Sequence, residues 1–334
     1  MAPLTLGTRG SPLALFQAHA VAGLLRARAG VACDITVIKT SGDRLPEAPL
    51  SEIGGKRLFV KEIEDALLSG TIDLAVHSSK DLPAMLPTGL ILGAVLPRED
   101  ARDAVVLPSG TALRSGEPAP TGLADAALEN VVRRLGPAPR IGTSSVRRIA
   151  QLTRLLPGAR FSPIRGNVET RLRKLDGGEF DAIVLAAAGL IRLGYGARIS
   201  AALPADACVP APGQGIIAVE IRGGDATTGA IVRKIGDPNA TAALTAERVV
   251  VTRLGGGCQM PIGAYAVASE HGLTLTAVVV SLDGARMARA EARGLSTEAE
   301  AVGTRAAAQL RERGAADILA DVDGEQSGVG GPQS

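Results

Sequence analysis

The chain has 334 residues, 46% of them hydrophobic, with 36 basic against 34 acidic side chains. That length exceeds what one hydrophobic core serves, so two or three domains are expected, and a net charge of +2 argues against a general binder of nucleic acid or membrane surface. The cysteines (Cys33, Cys208, Cys258) and histidines (His19, His77, His271) are too few and scattered for a disulfide framework or a metal centre; no apolar run spans a bilayer and no leader pattern opens the chain, so a cytoplasmic protein with reduced thiols is expected.

The first half repeats a short apolar strand, a polar turn and an amphipathic helix. Residues 4–7 form the first strand, followed by a helix from Pro12, with Ser11 a good N-cap and Leu13, Phe16, Leu24 and Leu25 near one face. Residues 34–40 and 72–76 read as further strands, the latter ending at His77, and two more flank positions 95 and 105. Residues 108–139 are rich in Pro, Gly and Ala and read as a linker with a surface excursion. The pattern restarts at 140–143 with a helix from Ser145, then a strand at 161–165, a helix at Asn167, and an apolar strand at 181–187 with a helical turn beyond Gly189. Strands alternating with helices imply mostly parallel sheets. Prolines crowd 203–213 before another strand at 215–221, which suits a second crossing between domains. From 238 the period changes to a helix (240–254), antiparallel-type strands (264–269, 273–281, 287–294) and a closing helix (297–313), with disorder expected from 323.

The fold class expected is therefore α/β. Two α/β domains crossed twice, an arrangement that resembles periplasmic binding proteins, carry a small α+β domain with a three-stranded antiparallel sheet. The expected division is 1–110 with 214–234, then 111–213, then 235–322, with 323–334 as a tail.

Helix starts carry partial positive charge and disfavour cations by up to ~1 kcal/mol. Yet Arg9, Lys80, Arg147, Arg148, Arg165, Arg171 and Arg192 all stand at or near strand-to-helix turns. A single surface arginine is ordinarily a solvated charge. Repetition at equivalent positions, beyond the carboxyl ends of strands, implies a ligand with several carboxylates or phosphates. No Gly-x-x-x-x-Gly-Lys-Ser/Thr loop is present, which disfavours a nucleoside triphosphate. Asp81 is the one acid beside this cluster, suited either to a salt bridge or to stabilising positive charge on a substrate. Cys258 lies in a glycine-rich loop with no nearby histidine, so it is either a buried small residue or a site approached closely by something bulky. Cys33 and Cys208 read as structural. A solute- or effector-binding module also accounts for the cations and remains open at this point.

Seven stretches carry a family resemblance: Thr-Arg-Gly-Ser-Pro-Leu-Ala-Leu at 8–15, Gly-Gly-Lys-Arg-Leu-Phe-Val-Lys-Glu at 54–62, Ala-Val-His-Ser-Ser-Lys-Asp-Leu-Pro at 75–83, Ile-Gly-Thr-Ser-Ser-Val-Arg-Arg at 141–148, Arg-Gly-Asn-Val-Glu-Thr-Arg-Leu at 165–172, Pro-Gly-Gln-Gly at 212–215 and Gly-Gly-Cys-Gln-Met-Pro-Ile-Gly at 256–263. In these, over residues 3–320, the chain resembles the porphobilinogen deaminases. The resemblance implies condensation of four porphobilinogen molecules, with loss of ammonia, to the linear tetrapyrrole hydroxymethylbilane. It implies a dipyrromethane cofactor on a thioether to Cys258, a monomer, no nucleic-acid or membrane partner, and a product passed to uroporphyrinogen-III synthase. By the same resemblance Asp81 is the catalytic aspartate, and Arg9, Arg147, Arg148, Arg165, Arg171 and Arg192 hold carboxylates or assist chain growth. Ser78, Lys80, Thr143, Ser144, Ser145 and Gln214 would contact the cofactor. Residues 43–61 would form a lid, with Lys56 and Phe59, alongside Arg9 and Ser11, on the substrate side. Phe59 also shares a helical face with Ile63 and Leu67, so core packing is its plainer reading. Residues 108–139 look longer than the family pattern.

Overall fold

A computed structural model describes residues 2–41, 60–111, 126–256 and 260–328. The expected lid, 43–61, therefore falls outside them but for its last two residues.

β1 (Leu4–Thr8) leads into α1 (Pro12–Ala29), capped by the Ser11 hydroxyl, which accepts from the Ala14 N–H at 3.3 Å. Its buried stripe is Ala18, Val21 and Leu25 with Gln17; of the expected face Leu25 is buried and Leu24 packs against the same core, while Phe16 is 43% exposed. Gln17 turns inward because its side-chain amide exchanges hydrogen bonds with the Ser78 hydroxyl, at 2.8 and 3.2 Å. β2 (Cys33–Val37), α2 (Lys61–Leu68), β3 (Leu74–Ser78) and β4 (Leu90–Val95) follow, then β5 (Asp103–Val106), α3 (Ala126–Leu135), β6 (Arg140–Gly142) and α4 (Val146–Leu155). β7 (Arg160–Ser162), α5 (Val168–Asp176), β8 (Ala182–Ala186), α6 (Ala187–Arg192) and β9 (Ala201–Ala202) complete the middle of the chain. β10 (Ile217–Arg222), α7 (Ala226–Val232) and α8 (Pro238–Arg253) precede β11 (Ile262–Ser269), β12 (Gly272–Val280), β13 (Met287–Gly294), α9 (Ala299–Glu312) and α10 (Ala315–Gly328).

Two five-stranded sheets share one plan. The first has the order β2-β1-β3-β10-β4, with β1 parallel to β2 and β3 and with β10 antiparallel to both its neighbours. The second, β7-β6-β8-β5-β9, repeats this: β6 is parallel to β7 and β8, and β5 runs antiparallel between β8 and β9. The antiparallel member of each sheet is the strand that arrives from the other, which is the double crossover. β3 and β8 are buried at every residue but the last, as expected of central strands covered on both faces. Leu6, Leu74 and Val219 pack with Val21 and Leu25 of α1 under the first sheet; Val105, Ile141 and Val184 pack with Leu128 and Val131 of α3 under the second. The third sheet, β11-β12-β13, is antiparallel and lies against α8, α9 and α10 through Leu275, Val279, Ala246, Val302 and Ile318.

Three expectations need correction. A first segment reaching residue 110 is too long, because β5 pairs in the second sheet and the first crossing therefore lies between Val95 and Asp103. The 108–139 stretch is not all surface excursion: α3 buries Leu128 and Val131 in the second core. The tail expected to be disordered from 323 continues as α10 to Gly328, anchored by buried Ile318, Leu319 and Val322.

Candidate active site

A cleft of about 1540 Å³ opens beyond the carboxyl ends of β1, β3, β6, β7 and β8. Arg9, Ser11, Ser78, Lys80, Asp81, Ser144, Ser145, Arg147, Arg148, Arg165, Arg171, Arg192 and Gln214 all contribute to its wall. The sequence-predicted cluster is thus brought together by the placement of turns in parallel sheets. Thr143 is the exception. It is buried and does not line the cleft, and its hydroxyl accepts from the Ser145 N–H at 3.3 Å, which shapes the turn.

On the first-sheet side, β3 ends in a single 3₁₀ turn, Ser79–Asp81, that delivers Lys80 and Asp81 to the cleft. Lys80 donates to Gln214 Oε1 at 3.3 Å. Burial and the nearby Arg148 push the Lys80 ammonium down to about 8, against the pull of Asp81 and Asp103. Asp81 lies within electrostatic reach of both Lys80 and Arg171.

On the second-sheet side, Arg147 and Arg148 sit in the first turn of α4, where the helix dipole is unfavourable to them. They were expected to need a ligand anion. Instead they already share an internal one: Asp103, the first residue of β5, is fully buried between them. Its Oδ2 accepts from Arg147 Nη1 at 2.7 Å. Its Oδ1 accepts from Arg148 Nε at 2.9 Å and Nη2 at 2.7 Å. Arg147 and Arg148 are only 5% and 7% exposed, and their guanidinium groups further donate to the Val209 and Val184 carbonyls. Two cations beside one carboxylate hold its pKa far below the usual range even though burial opposes this. Cys208, read as structural, lies here with its thiol 3.5 Å from Asp103, and burial pushes it up to about 12.

Gln214 joins the two walls. Its Nε2 donates to Asp103 Oδ1 at 2.9 Å and to the Ala101 carbonyl at 2.7 Å, while its Oε1 receives Lys80. Glycines on either side make this possible. Gly213 and Gly215 have φ of 73° and 85°, and a Cβ at Gly215 would lie 2.3 Å from the Glu99 carbonyl oxygen.

The remaining groups are positioned by backbone contacts. The Ser144 hydroxyl bridges the Ile164 N–H and carbonyl, at 3.1 and 3.0 Å, fastening the turn after β6 to the one after β7. Asn167 caps α5 by accepting from the Thr170 N–H at 2.9 Å. Arg171 Nε donates to the Gly166 carbonyl, and Arg192 Nη2 to Gly215 O at 2.7 Å. Burial, with Arg148 and Arg165 adding to it, lowers Arg171 to about 10 despite the attraction of Asp81. Lys56, Phe59 and Cys258 lie outside the described residues. Gly256 and Met260, to either side of Cys258 in the chain, both line the cleft.

The sequence reading missed Asp103 and Glu247. Glu247 is fully buried on α8; it accepts from Arg98 Nη2, from the Gly213 N–H and from the Ala266 N–H, each at 2.7 Å. No sequence signal marked them: Arg102 precedes Asp103 and Arg248 follows Glu247, so each acid reads locally as a surface charge.

An excess of cations over acids, and a buried Arg147 Nε with no hydrogen-bond partner among the described residues, suit a ligand bearing several carboxylates. No helix among the described residues is long and apolar enough to cross a membrane.

Residues 4–230 match the family described as porphobilinogen deaminase, dipyromethane cofactor binding domain, and residues 241–312 match its C-terminal domain. A porphobilinogen deaminase of Syntrophobacter fumaroxidans is 43% identical over 96% of this chain and 97% of that protein. One from Rubrobacter xylanophilus is 46% identical over 96% of this chain and 98% of its own. Among solved structures, the VFT2 domain of Bordetella pertussis BvgS overlaps distantly, with 16% identity, a TM-score of 0.40 and coverage of 70% of this chain and 85% of that one.

Proposed function

The chain belongs to the porphobilinogen deaminase family, and from that premise we propose how its own residues share the work of joining pyrrole units. It is a transferase that builds on a dipyrromethane cofactor, and the solute-binding alternative lacks support. The finer reading is stepwise condensation of four porphobilinogen molecules to hydroxymethylbilane.

The observation that carries this reading is a carboxylate, Asp81, on the wall of a large cleft that sets nine cations against two acids, Asp81 and Glu169. The cofactor supplies a free pyrrole carbon from which the chain grows. Arg147, Arg148, Lys80 and the Ser78, Ser144 and Ser145 turns would hold its acetate and propionate arms. Charge-assisted bonds of this kind contribute about 1.5–3 kcal/mol each. Asp81 accepts the pyrrole N–H and stabilises the positive charge left on porphobilinogen when ammonia departs. Arg9, Ser11, Arg165, Arg171 and Arg192 hold the carboxylates of incoming and added units, with Lys56 and Phe59 on the lid side. Gly256 and Met260 at the cleft support Cys258 as the tethering sulfur. The proposed domain division assigns sheet one with β10 to the first domain, sheet two with β5 to the second, and the three-stranded sheet with α8–α10 to the third. A cytoplasmic monomer, passing its product to uroporphyrinogen-III synthase, completes the reading.

Intact mass tests it. Freshly purified protein should carry an adduct of two linked pyrrole units on Cys258, and porphobilinogen should add further units stepwise. A bare mass in active protein would overturn the proposal.

A further inference from the structure

Asp103 is chemically more than a counter-ion. Five donors converge on its two oxygens: Arg148 through Nε and Nη2 and Gln214 through Nε2 on Oδ1, Arg147 through Nη1 and the more distant Cys208 thiol on Oδ2. Burying two guanidinium groups with a single carboxylate leaves the cluster positive, and an isolated buried ion cluster is a poor source of stability. What the carboxylate does supply is direction. The Nε edge of Arg148 is committed to Asp103, so its remaining N–H groups have fixed orientations. Gln214 must donate to Asp103 and to Ala101 O, so its amide oxygen is forced to face Lys80.

We propose that Asp103 is a positioning residue for the pyrrole-chain site: it clamps Arg147, Arg148 and Gln214 in one arrangement and, through Gln214, sets Lys80 in the same frame. The proposal rests on the porphobilinogen reading above. It extends that reading from the groups that touch the carboxylate arms to the buried residue that aims them. Asp103→Asn preserves size but turns one acceptor into a donor among donors, so the arginines or the Gln214 amide must reorient. It also removes a negative charge near Lys80. Among the described residues Arg148 and Arg147 depress Lys80, while Asp81 and Asp103 raise it; losing Asp103 therefore lowers it further.

Two measurements test the clamp. The fraction of purified full-length protein bearing the two-pyrrole adduct, read by intact mass, should fall roughly tenfold in Asp103→Asn. Separately, in a Cys258→Ser background lacking the tethering sulfur, the pH at which Lys80 becomes reactive to an amine-acylating reagent should move lower when Asp103→Asn is added. Wild-type loading together with an unmoved Lys80 midpoint would overturn the proposal. If circular dichroism shows Asp103→Asn unfolded, Asp103→Glu replaces it: the charge stays and the reach changes, so loading should fall while the Lys80 midpoint holds. Full loading of Asp103→Glu would then refute the clamp. A wild-type protein without adduct would instead count against the porphobilinogen reading, and the Lys80 titration, which needs no primer, still judges Asp103.

Discussion

The turns after β3 and β6 both lie at the carboxyl ends of parallel-paired strands, one in each of two sheets of the same order, yet they manage charge in opposite ways. After β3 the chain makes one short 3₁₀ turn and offers an acid, Asp81, to a cleft full of cations. After β6 it starts a helix with two arginines, against the dipole, and settles them on a carboxylate sent from β5. One turn exposes its charge to whatever enters; the other has most of its charge satisfied before anything arrives. A cation at a helix start is therefore evidence for a ligand only after the fold's own acids have been counted.

Three substitutions probe that contrast. Asp81→Asn should lower turnover by roughly a hundredfold or more while leaving the urea midpoint near wild type, because the role proposed for Asp81 is toward substrate and not in packing. A large loss of stability would erase the distinction between the turns. Arg147→Met should do the reverse in kind: a buried pair loses one partner, and urea unfolding should register about 3–5 kcal/mol of lost stability. A neutral result would mean that Arg148 alone satisfies Asp103. The smallest effect belongs to Asn167→Ala, which removes the cap of the helix carrying Arg171. Thermal unfolding should show about 1 kcal/mol lost, with KM for porphobilinogen rising more than kcat falls.

Much of the site was legible because its groups sit in contiguous turns: Ser78, Lys80 and Asp81 are neighbours in sequence, as are Thr143 to Arg148. The strand–helix alternation likewise gave both α/β layers. Asp103 was not legible as a partner of Arg147, since 44 residues separate them and only the crossing of β5 into the second sheet brings them together. That same crossing defeated the expected boundary at 110. Gln17 escaped for a related reason: the apolar pattern of α1 gives no sign of a buried polar side chain, but a hydroxyl on β3 draws it inside. Periodicity records the average preference of a face, and a single well-placed tertiary hydrogen bond outweighs it.

Glu247 has a mechanical corollary. One carboxylate on α8 grips Arg98 beside the outgoing passage, Gly213 beside the returning one, and the edge of β11. The two passages thus behave as a pinned axle and not as two loose straps. Glu247→Gln would take the charge from that pin and leave Arg98, Gly213 and β11 without their common carboxylate.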